Sequence, residues 1–280
     1  MSGTVFAVVI LAALLHAVWN ALVKGGADKG AAMGAVVLGQ GLSGGLLLPV
    51  TTMPDLACWP WLLAGVALHL GYQLFLMQAY RFGDLTQVYP IARGVSPLIV
   101  GLVSVAFLGA SFTLIELQGL ALICVGIASI SLVRRGDGAF QGKAAGLAVV
   151  TGMFIAAYSL VDGQGARIAG TSLGFYGPLA VLNAVGFAAI AGVARPGLMR
   201  RAIALPGPII LGGGASFAAY ALVVWAFTQA PIALVTALRE TSIIFALLIG
   251  VIAMGERLSL GKVLSTAMTL AGAMLLRLSR

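Results

Sequence analysis

A few polar and aromatic side chains lie inside long apolar stretches of the sequence, and these are the residues that could do chemistry. His16, Trp19 and Asn20 follow the spacing i, i+3, i+4, so a helix presents them on one face. A second helical stripe holds four more such side chains, namely His69, Tyr72, Gln73 and Tyr80. Hydrogen-bond donors beside aromatic rings could bind one small ligand. Hydrogen bonding between helices, without any ligand, is the alternative for both stripes.

Two arginines lie deep in apolar segments. Arg93 and Arg239 each lie about seven or eight residues from the start of a segment, which is roughly 10 Å at 1.5 Å per residue. A guanidinium at this depth can bind a carboxylate through two parallel hydrogen bonds. The alternative is that the long arginine side chain extends to the lipid headgroups and binds no substrate. Because Glu240 is the one deep acid in this interpretation, we expect a net cationic interior that suits a substrate carboxylate. Tyr158 and Tyr220 are expected first of all to pack in the core, and in a pocket that includes an arginine they could stack on an aromatic substrate.

Two prolines bracket Arg93 within one apolar segment. Pro90 and Pro97 each remove a backbone donor and favour a kink in the helix that contains them. We therefore expect this fourth helix to bend when the protein changes conformation, so that the two prolines act in gating. The corresponding ninth segment lacks both prolines, so the motion need not be symmetric.

The composition identifies the solvent of these segments as lipid. Hydrophobic residues make up 61% of the 280 residues and charged residues only 9%, against about 25% charged in ordinary globular chains. This excludes a soluble enzyme, and the thinly spread Lys and Arg side chains argue against a nucleic-acid partner. Cys58 and Cys124 show neither disulfide nor metal spacing. We expect no catalytic residues, no metal and no cofactor.

A transmembrane helix needs about 20 mostly apolar residues. The sequence predicts ten such spans and therefore an all-α membrane protein, the spans being 4–23, 31–50, 60–79, 86–108, 113–133, 144–163, 172–194, 207–228, 231–253 and 259–277. Ten spans in 280 residues leave no room for an extramembrane domain.

Lys and Arg residues orient the spans, because cytoplasmic connections carry an excess of them. With the N-terminus outside, eleven lie on the cytoplasmic side and three on the external side. The count predicts that both termini are periplasmic.

The two halves of the chain are similar at an offset of 146 residues. Arg93 then aligns with Arg239, Ser96 with Ser242 and Gly126 with Gly272. The pattern predicts a first repeat at 1–135, a cytoplasmic linker at 136–143 and a second repeat at 144–280. Five spans per repeat is an odd number, so the second repeat must be inverted. Inverted repeats are typical of transporters with a binding site near the midplane.

Short glycine-weighted motifs carry a family resemblance. The stretch YPIARGVSP at 89–97, followed by Gly109, Gly119 and Gly126, resembles the second part of an EamA domain of the drug/metabolite transporter superfamily. The stretch GERLS at 255–259, followed by Gly261 and Gly272, is similar to the same element in a second copy. The first copy has Ala110 where that family usually has the glutamate found here at Glu256. The resemblance implies ten helices, a bacterial inner membrane and export of small metabolites, and within the superfamily the pattern is most similar to exporters of aromatic amino acids.

The function expected from these observations is secondary transport, with export of amino acids, aromatic ones first, through a cavity between the repeats. The partners are then a small-molecule substrate and the lipid bilayer, and we expect a monomer. The alternative is a proton-coupled exporter of cationic or lipophilic drugs, which needs a deep carboxylate. That alternative is weakened because most acids lie near the ends of the predicted spans, namely Asp55, Asp84, Glu116, Asp137 and Asp162. An intramembrane protease is a weaker alternative, based on Ser43 in a G-x-S-G match and His69 in the next span.

Overall fold

The computed structural model describes residues 1–82, 85–132, 142–254 and 260–278, and these ranges consist of helices joined by short connections, without a β-strand. The α-helices are α1 (Gly3–Gly25), α2 (Lys29–Leu47), α3 (Trp59–Phe82), α4 (Leu85–Phe107), α5 (Leu114–Leu132), α6 (Gly142–Ala169), α7 (Ser172–Ala194), α8 (Leu198–Ile203), α9 (Gly214–Gln229), α10 (Ile232–Arg239), α11 (Ser242–Met254) and α12 (Leu260–Leu278). Short 3₁₀ turns occupy Leu48–Val50 and Leu56–Cys58, and a π-helical segment, Pro208–Gly213, leads into α9. The prediction of an all-α chain is confirmed for these ranges.

Seven helical segments of the described ranges are long and apolar enough to cross a membrane, and one of them combines α10 with α11. They are Gly3–Val23, Lys29–Val50, Leu56–Ala79, Gly142–Ala169, Ser172–Ala194, Pro208–Gln229 and Ile232–Ile252. Three shorter apolar helices accompany them, namely Ile91–Phe107, Leu114–Ile127 and Val263–Leu278. The structure is therefore compatible with a multi-pass α-helical membrane protein.

Local capping fixes several of the helix starts. Ser2 accepts a hydrogen bond from the Val5 amide, and Asp28 accepts one from the Ala31 amide at 3.0 Å. That backbone hydrogen bond, supported by the Arg201 guanidinium 3.0 Å away, lowers the pKa of Asp28. Thr113 and Glu116 form a capping box before α5, each accepting a bond from the amide of the other.

Glycine explains how closely some helices pack. At Gly39 of α2, a Cβ atom would overlap the carbonyl of Ile209 and lie 2.8 Å from the Cα of Gly213, so α2 and the π-helical segment touch backbone to backbone. At Gly119 of α5, a Cβ would lie 2.9 Å from the carbonyl oxygen of Gly272 in α12. Such contacts let helices associate in a solvent that gives them little hydrophobic reason to do so.

The predicted ninth span, 231–253, is not one continuous helix. It divides into α10 and α11 at Glu240 and Thr241, whose amides bond to the carbonyls of Ala237 and Leu238, three residues back. The break places the charged side chains of Arg239 and Glu240 in the interior, where both are buried. In contrast, α4 is helical over its whole described length through Pro97.

Candidate functional site

A small cavity lies among α1, α2, α3, α6, α7 and α9, with a volume of about 70 Å³. Its walls combine aromatic rings, amide and hydroxyl groups and a few aliphatic side chains. The lining residues are His16, Trp19, Met33, Val36, Val37, Gln40, His69, Tyr72, Gln73, Tyr158, Tyr176, Leu179, Ala180, Asn183, Ser216 and Tyr220. A space of this size holds a few waters, and ligand pockets are usually larger, roughly 300–1,000 Å³.

Aromatic rings in mutual contact form one wall of the cavity. The imidazole of His69 stacks on Tyr158 at a centroid distance of 4.2 Å, and Tyr220 meets the edge of His69 at 5.3 Å. Tyr72 packs edge-on against Tyr158 at 5.7 Å, and Tyr176 against Tyr220 at 5.0 Å. These offset and edge-on arrangements are the favoured ones for aromatic pairs, so the wall is a defined surface on which a further ring can pack.

A buried carboxylate lies behind this wall. Asp162 is 0% exposed, and its Oδ2 accepts hydrogen bonds from Nε2 of His69 at 2.8 Å and from the hydroxyl of Tyr220 at 2.6 Å. Its second oxygen, Oδ1, packs against Gly65 of α3 and has no hydrogen-bond partner among the described residues. The sequence interpretation placed Asp162 near the end of a span. It is interior instead, because α6 continues to Ala169.

A second charged cluster joins α1, α4 and α10. Nη1 of Arg93 donates to Oε1 of Glu240 at 2.8 Å, and both side chains are buried. Nη2 of Arg93 contacts Nε2 of His16. Because a guanidinium can only donate, Nε2 of His16 is the acceptor in this contact, and the indole N–H of Trp19 donates to the other ring nitrogen, Nδ1, at 3.2 Å.

Arg239 lies between the two clusters. Its Nε is 3.8 Å from Oε1 of Glu240, and its guanidinium carbon lies 6.0 Å and 5.9 Å from the ring centroids of Tyr158 and Tyr220. The side chain is 3% exposed, yet Nε and Nη2 have no hydrogen-bond partner among the residues that the structure describes. A buried guanidinium with vacant donors directly behind two cavity tyrosines could bind an anionic group if those rings moved apart.

The structure brings most of the residues predicted from sequence to this one place. The cavity is lined by His16, Trp19, His69, Tyr72, Gln73, Tyr158 and Tyr220, and it is backed by Arg93 and Arg239. Asn20 does not line the cavity, because its amide donates to the carbonyl of His16 at 2.7 Å in the same helix. Pro97 is buried within α4. The side chains of Tyr80 and Pro90 lie outside the described part of the structure, as does the motif at 255–259.

Several cavity residues were not predicted from the sequence. Asn183, which was not predicted, buries an amide oxygen that has no hydrogen-bond partner in the described ranges, at 4% exposure, as does the predicted Gln73 at 5%. Gln40 donates to the hydroxyl of Ser216 at 2.7 Å, which joins α2 to α9 at the cavity. The signal that could have found these residues is a lone polar side chain inside an apolar span.

The expectation of a net cationic interior was wrong for the described residues. Arg93 and Arg239 are opposed there by two buried acids, Glu240 and Asp162, and not by Glu240 alone. The charges therefore balance, and substrate charge cannot be inferred from their sum.

The two residues of the protease hypothesis are engaged elsewhere. The Ser43 hydroxyl donates to the carbonyl of Gly39 in its own helix at 2.8 Å, and His69 is bonded to Asp162. A serine nucleophile requires a hydrogen bond to its base, and these contacts do not provide one. Within the described ranges, no group of three His, Cys, Asp or Glu side chains could hold a metal ion.

Comparison with known proteins supports the fold alone. No protein-family model matches the chain, and no curated protein does. Among solved structures, 28 chains match. One of them, described only as the crystal structure of a protein, has a TM-score of 0.75 at 17% sequence identity, and the match covers 98% of this chain and 96% of that chain. At this identity the likeness shows a shared fold over the whole length.

Proposed function

We propose that the chain is a secondary transporter that exports amino acids, aromatic ones first, across the bacterial inner membrane by alternating access. The observation that carries this proposal is the cavity, because its aromatic and polar walls come from α1, α2 and α3 of the first half and from α6, α7 and α9 of the second. A site between two halves near mid-membrane is the arrangement typical of such transporters.

The packing of helices supports ten spans arranged as inverted repeats. If α10 and α11 form one broken span and Pro208–Gly213 extends α9, the described helices other than the short α8 give ten spans. A two-fold relation between the halves requires that helix contacts occur in matching pairs. In this arrangement α6 is the counterpart of α1, α9 of α3, and α10 with α11 of α4. Accordingly, α3 packs on α6 and α9 packs on α1. In the same way, α4 packs on α6 and α11 packs on α1.

Individual contacts between α5 and α12 support the same relation. Gly126 packs against Ser265, and Gly119 against Gly272. The offset of 146 that aligns Arg93 with Arg239 also turns the first of these pairs into the second. Two-fold symmetry requires that, wherever two residues touch across the interface, their counterparts in the other repeat touch as well.

The groups around the cavity suit the parts of an aromatic amino acid. The wall of His69, Tyr158 and Tyr220 offers stacking surface to a ring. The vacant amide oxygens of Gln73 and Asn183 can accept hydrogen bonds from an ammonium group. Arg239 holds vacant donors for a carboxylate behind the two tyrosines.

The closed state of the cavity is consistent with an occluded conformation. About 70 Å³ is too small for an amino acid, so helices of the two halves must separate before a substrate can bind. Proline in α4 and the break between α10 and α11 are the positions at which such a motion is expected to bend the spans. The preference for amino acids, the periplasmic termini and the bacterial inner membrane rest on the sequence arguments given above.

The experiment is uptake of radiolabelled L-phenylalanine into liposomes that contain the purified protein, with unlabelled competitors. We expect competition by tryptophan and tyrosine, weak competition by phenethylamine, which lacks the carboxylate, and none by tetraphenylphosphonium or sugar phosphates. Competition by the lipophilic cation but not by amino acids would reject the proposal.

One observation favours a second candidate, a proton-coupled exporter of cationic drugs. Asp162 is a fully buried acid beside an aromatic wall, and Oδ1 has no hydrogen-bond partner in the described ranges. A carboxylate in this position could exchange a proton for a lipophilic cation. Resistance of expressing cells to ethidium, lost in Asp162→Asn, would support this candidate over amino-acid export.

A further inference from the structure

Two histidines and two buried acids lie in or beside the cavity region, and contact with an arginine fixes the charge of one residue of each kind. Glu240 accepts a hydrogen bond from Arg93 at 2.8 Å and lies 3.8 Å from Arg239, so its protonation would leave two buried guanidinium groups without a counter-charge. Nε2 of His16 accepts from Arg93, so a protonated His16 would add a third positive charge beside Arg93 and Arg239. Neither group is suited to take up and release a proton repeatedly.

The His69–Asp162 pair differs because it lies outside this arginine contact and borders the cavity. The side chain of His69 is 13% exposed, and its ring lines the cavity, while Nε2 lies 2.8 Å from the fully buried Oδ2 of Asp162. The carboxylate accepts from Nε2–H, so the lone pair of Nδ1 remains for a proton. A proton on Nδ1 turns the imidazole into an imidazolium whose charge Asp162 balances directly.

Other charged and titratable groups surround the pair on every helix that packs against it. The neighbours are neutral tyrosines at closest range, and the arginines lie beyond their rings. The groups are Tyr158 and Arg167 on α6, Tyr72 on α3, Cys58 before α3, Tyr176 on α7, Tyr220 on α9, Arg93 on α4, and Arg239 with Glu240 at the end of α10. Glu240 cancels only one of the two arginine charges, so one net positive charge remains beyond the tyrosine rings, and the charge nearest to His69 is that of Asp162, 2.8 Å away.

We propose that the His69–Asp162 pair is the proton site of the transporter, and that a proton on His69 and the ammonium group of the substrate occupy the cavity in alternation. This inference rests on the proposed function. Gln73, whose amide oxygen is the acceptor for the ammonium group, lies one helical turn after His69 on α3. Without a proton on His69, the negative charge of Asp162 is uncompensated and attracts the ammonium group, whereas a proton on His69 cancels that charge, so the two cations compete for one carboxylate.

The exchange balances without any further reactant. Facing the periplasm, the substrate leaves and His69 Nδ1 takes a proton from water on that side. Facing the cytoplasm, the same N–H bond breaks, the proton passes to water, and an amino acid binds in its place. One proton enters for each zwitterionic amino acid that leaves, so an inward proton gradient drives export.

The test uses liposomes with an acidic lumen, about one pH unit below the outside, and with the membrane potential held at zero by potassium and valinomycin. Radiolabelled L-phenylalanine outside should accumulate up to about tenfold, because one pH unit is a tenfold ratio of proton activity. A protonophore should abolish the accumulation. Counterflow, the exchange of labelled for unlabelled phenylalanine without a pH gradient, is measured in the same preparation.

Variants assign the coupling to the pair. Asp162→Asn and His69→Gln should lose gradient-driven accumulation, whereas Asp28→Asn, which removes an exposed acid outside the spans, should accumulate and exchange phenylalanine as the wild type does. A second readout avoids reliance on folding of the variants: phenylalanine added to wild-type protein in weakly buffered detergent solution should release protons, at most one per chain. Two results would overturn this inference and leave the proposed function intact. One is a wild type that shows counterflow but neither gradient-driven accumulation nor proton release. The other is accumulation that persists in both Asp162→Asn and His69→Gln. Absence of phenylalanine counterflow in the wild type would overturn both proposals.

Discussion

The substitution Glu240→Gln is expected to be among the most destabilising single changes in this chain. Glu240 is fully buried and is the nearest counter-charge of two buried arginines, Arg93 at 2.8 Å and Arg239 at 3.8 Å. Removing one partner of a buried ion pair costs about 3–5 kcal/mol, because the other charge is left without compensation. The loss of Glu240 leaves two such charges, so we expect the upper part of that range.

The structure also predicts an order among related variants. Arg93→Met should cost less than Glu240→Gln, because Glu240 keeps Arg239 as a counter-charge. The double variant Arg93→Met with Glu240→Met should recover part of the loss, since only Arg239 then lacks a partner. Glu116→Gln is the matched control, because the amide oxygen of Gln can still accept the hydrogen bond from the Thr113 amide in the capping box.

The assay is thermal unfolding of each purified variant in detergent, followed by size-exclusion chromatography and by intrinsic fluorescence. At about 2–4 °C per kcal/mol for a chain of this size, the upper part of the range, about 4–5 kcal/mol, means that Glu240→Gln should lower the Tm by roughly 8–20 °C. Glu116→Gln should shift it by less than about 2 °C. A Tm for Glu240→Gln within about 2 °C of the wild type, or a double variant less stable than Glu240→Gln, would refute the assignment of Glu240 as the shared counter-charge.

Three further predictions concern recognition, packing and pH. Arg239→Gln should weaken phenylalanine binding roughly 10- to 150-fold, which corresponds to about 1.5–3 kcal/mol for a hydrogen bond to a charged group. Binding of phenethylamine, which lacks the carboxylate, should not change. An equal loss of affinity for both ligands would contradict a contact between Arg239 and the carboxylate. Gly39→Ala should lower the Tm, because a Cβ there overlaps the Ile209 carbonyl at a cost of about 1–3 kcal/mol. The control Gly45→Ala, whose Cβ would lie 3.9 Å from its nearest neighbour, should leave the Tm unchanged. Equal Tm values for the two variants would contradict the close packing at Gly39. The lowered pKa of Asp28 in the folded state means that ionised Asp28 stabilises the fold above about pH 4, and that this contribution disappears as the pH falls through the folded pKa. The Tm difference between wild type and Asp28→Asn should therefore shrink as the pH falls below about 4, and a difference independent of pH contradicts the link.

Local sequence patterns predicted the helices and one side of the cavity. Apolar length alone indicates spans, and the spacing of His69, Tyr72 and Gln73 indicates a shared helical face, because both properties belong to a single helix. The structure places this face and the residues His16 and Trp19 of α1 at one cavity.

Contacts between distant helices could not be predicted in the same way. Asp162 follows Tyr158 by one turn, but nothing in the sequence says that His69 and Tyr220 approach its carboxylate from two other helices. The pairing of Arg93 with Glu240 likewise spans 147 positions. The break after Arg239 was missed because the segment 231–253 is apolar enough for one continuous helix, and the buried charges that accompany the break are a tertiary feature.

The most direct test of substrate passage through the cavity between the halves is counterflow of labelled L-phenylalanine in liposomes that contain the wild type, Asn183→Leu or Val185→Leu. Asn183 lines the cavity, whereas Val185 lies on the same helix with an exposed side chain. The account predicts rapid exchange by the wild type and by Val185→Leu, and a rate at least about tenfold lower for Asn183→Leu, which loses an acceptor for the substrate. Exchange by Asn183→Leu at the wild-type rate, or no exchange by the wild type above empty liposomes, would contradict it.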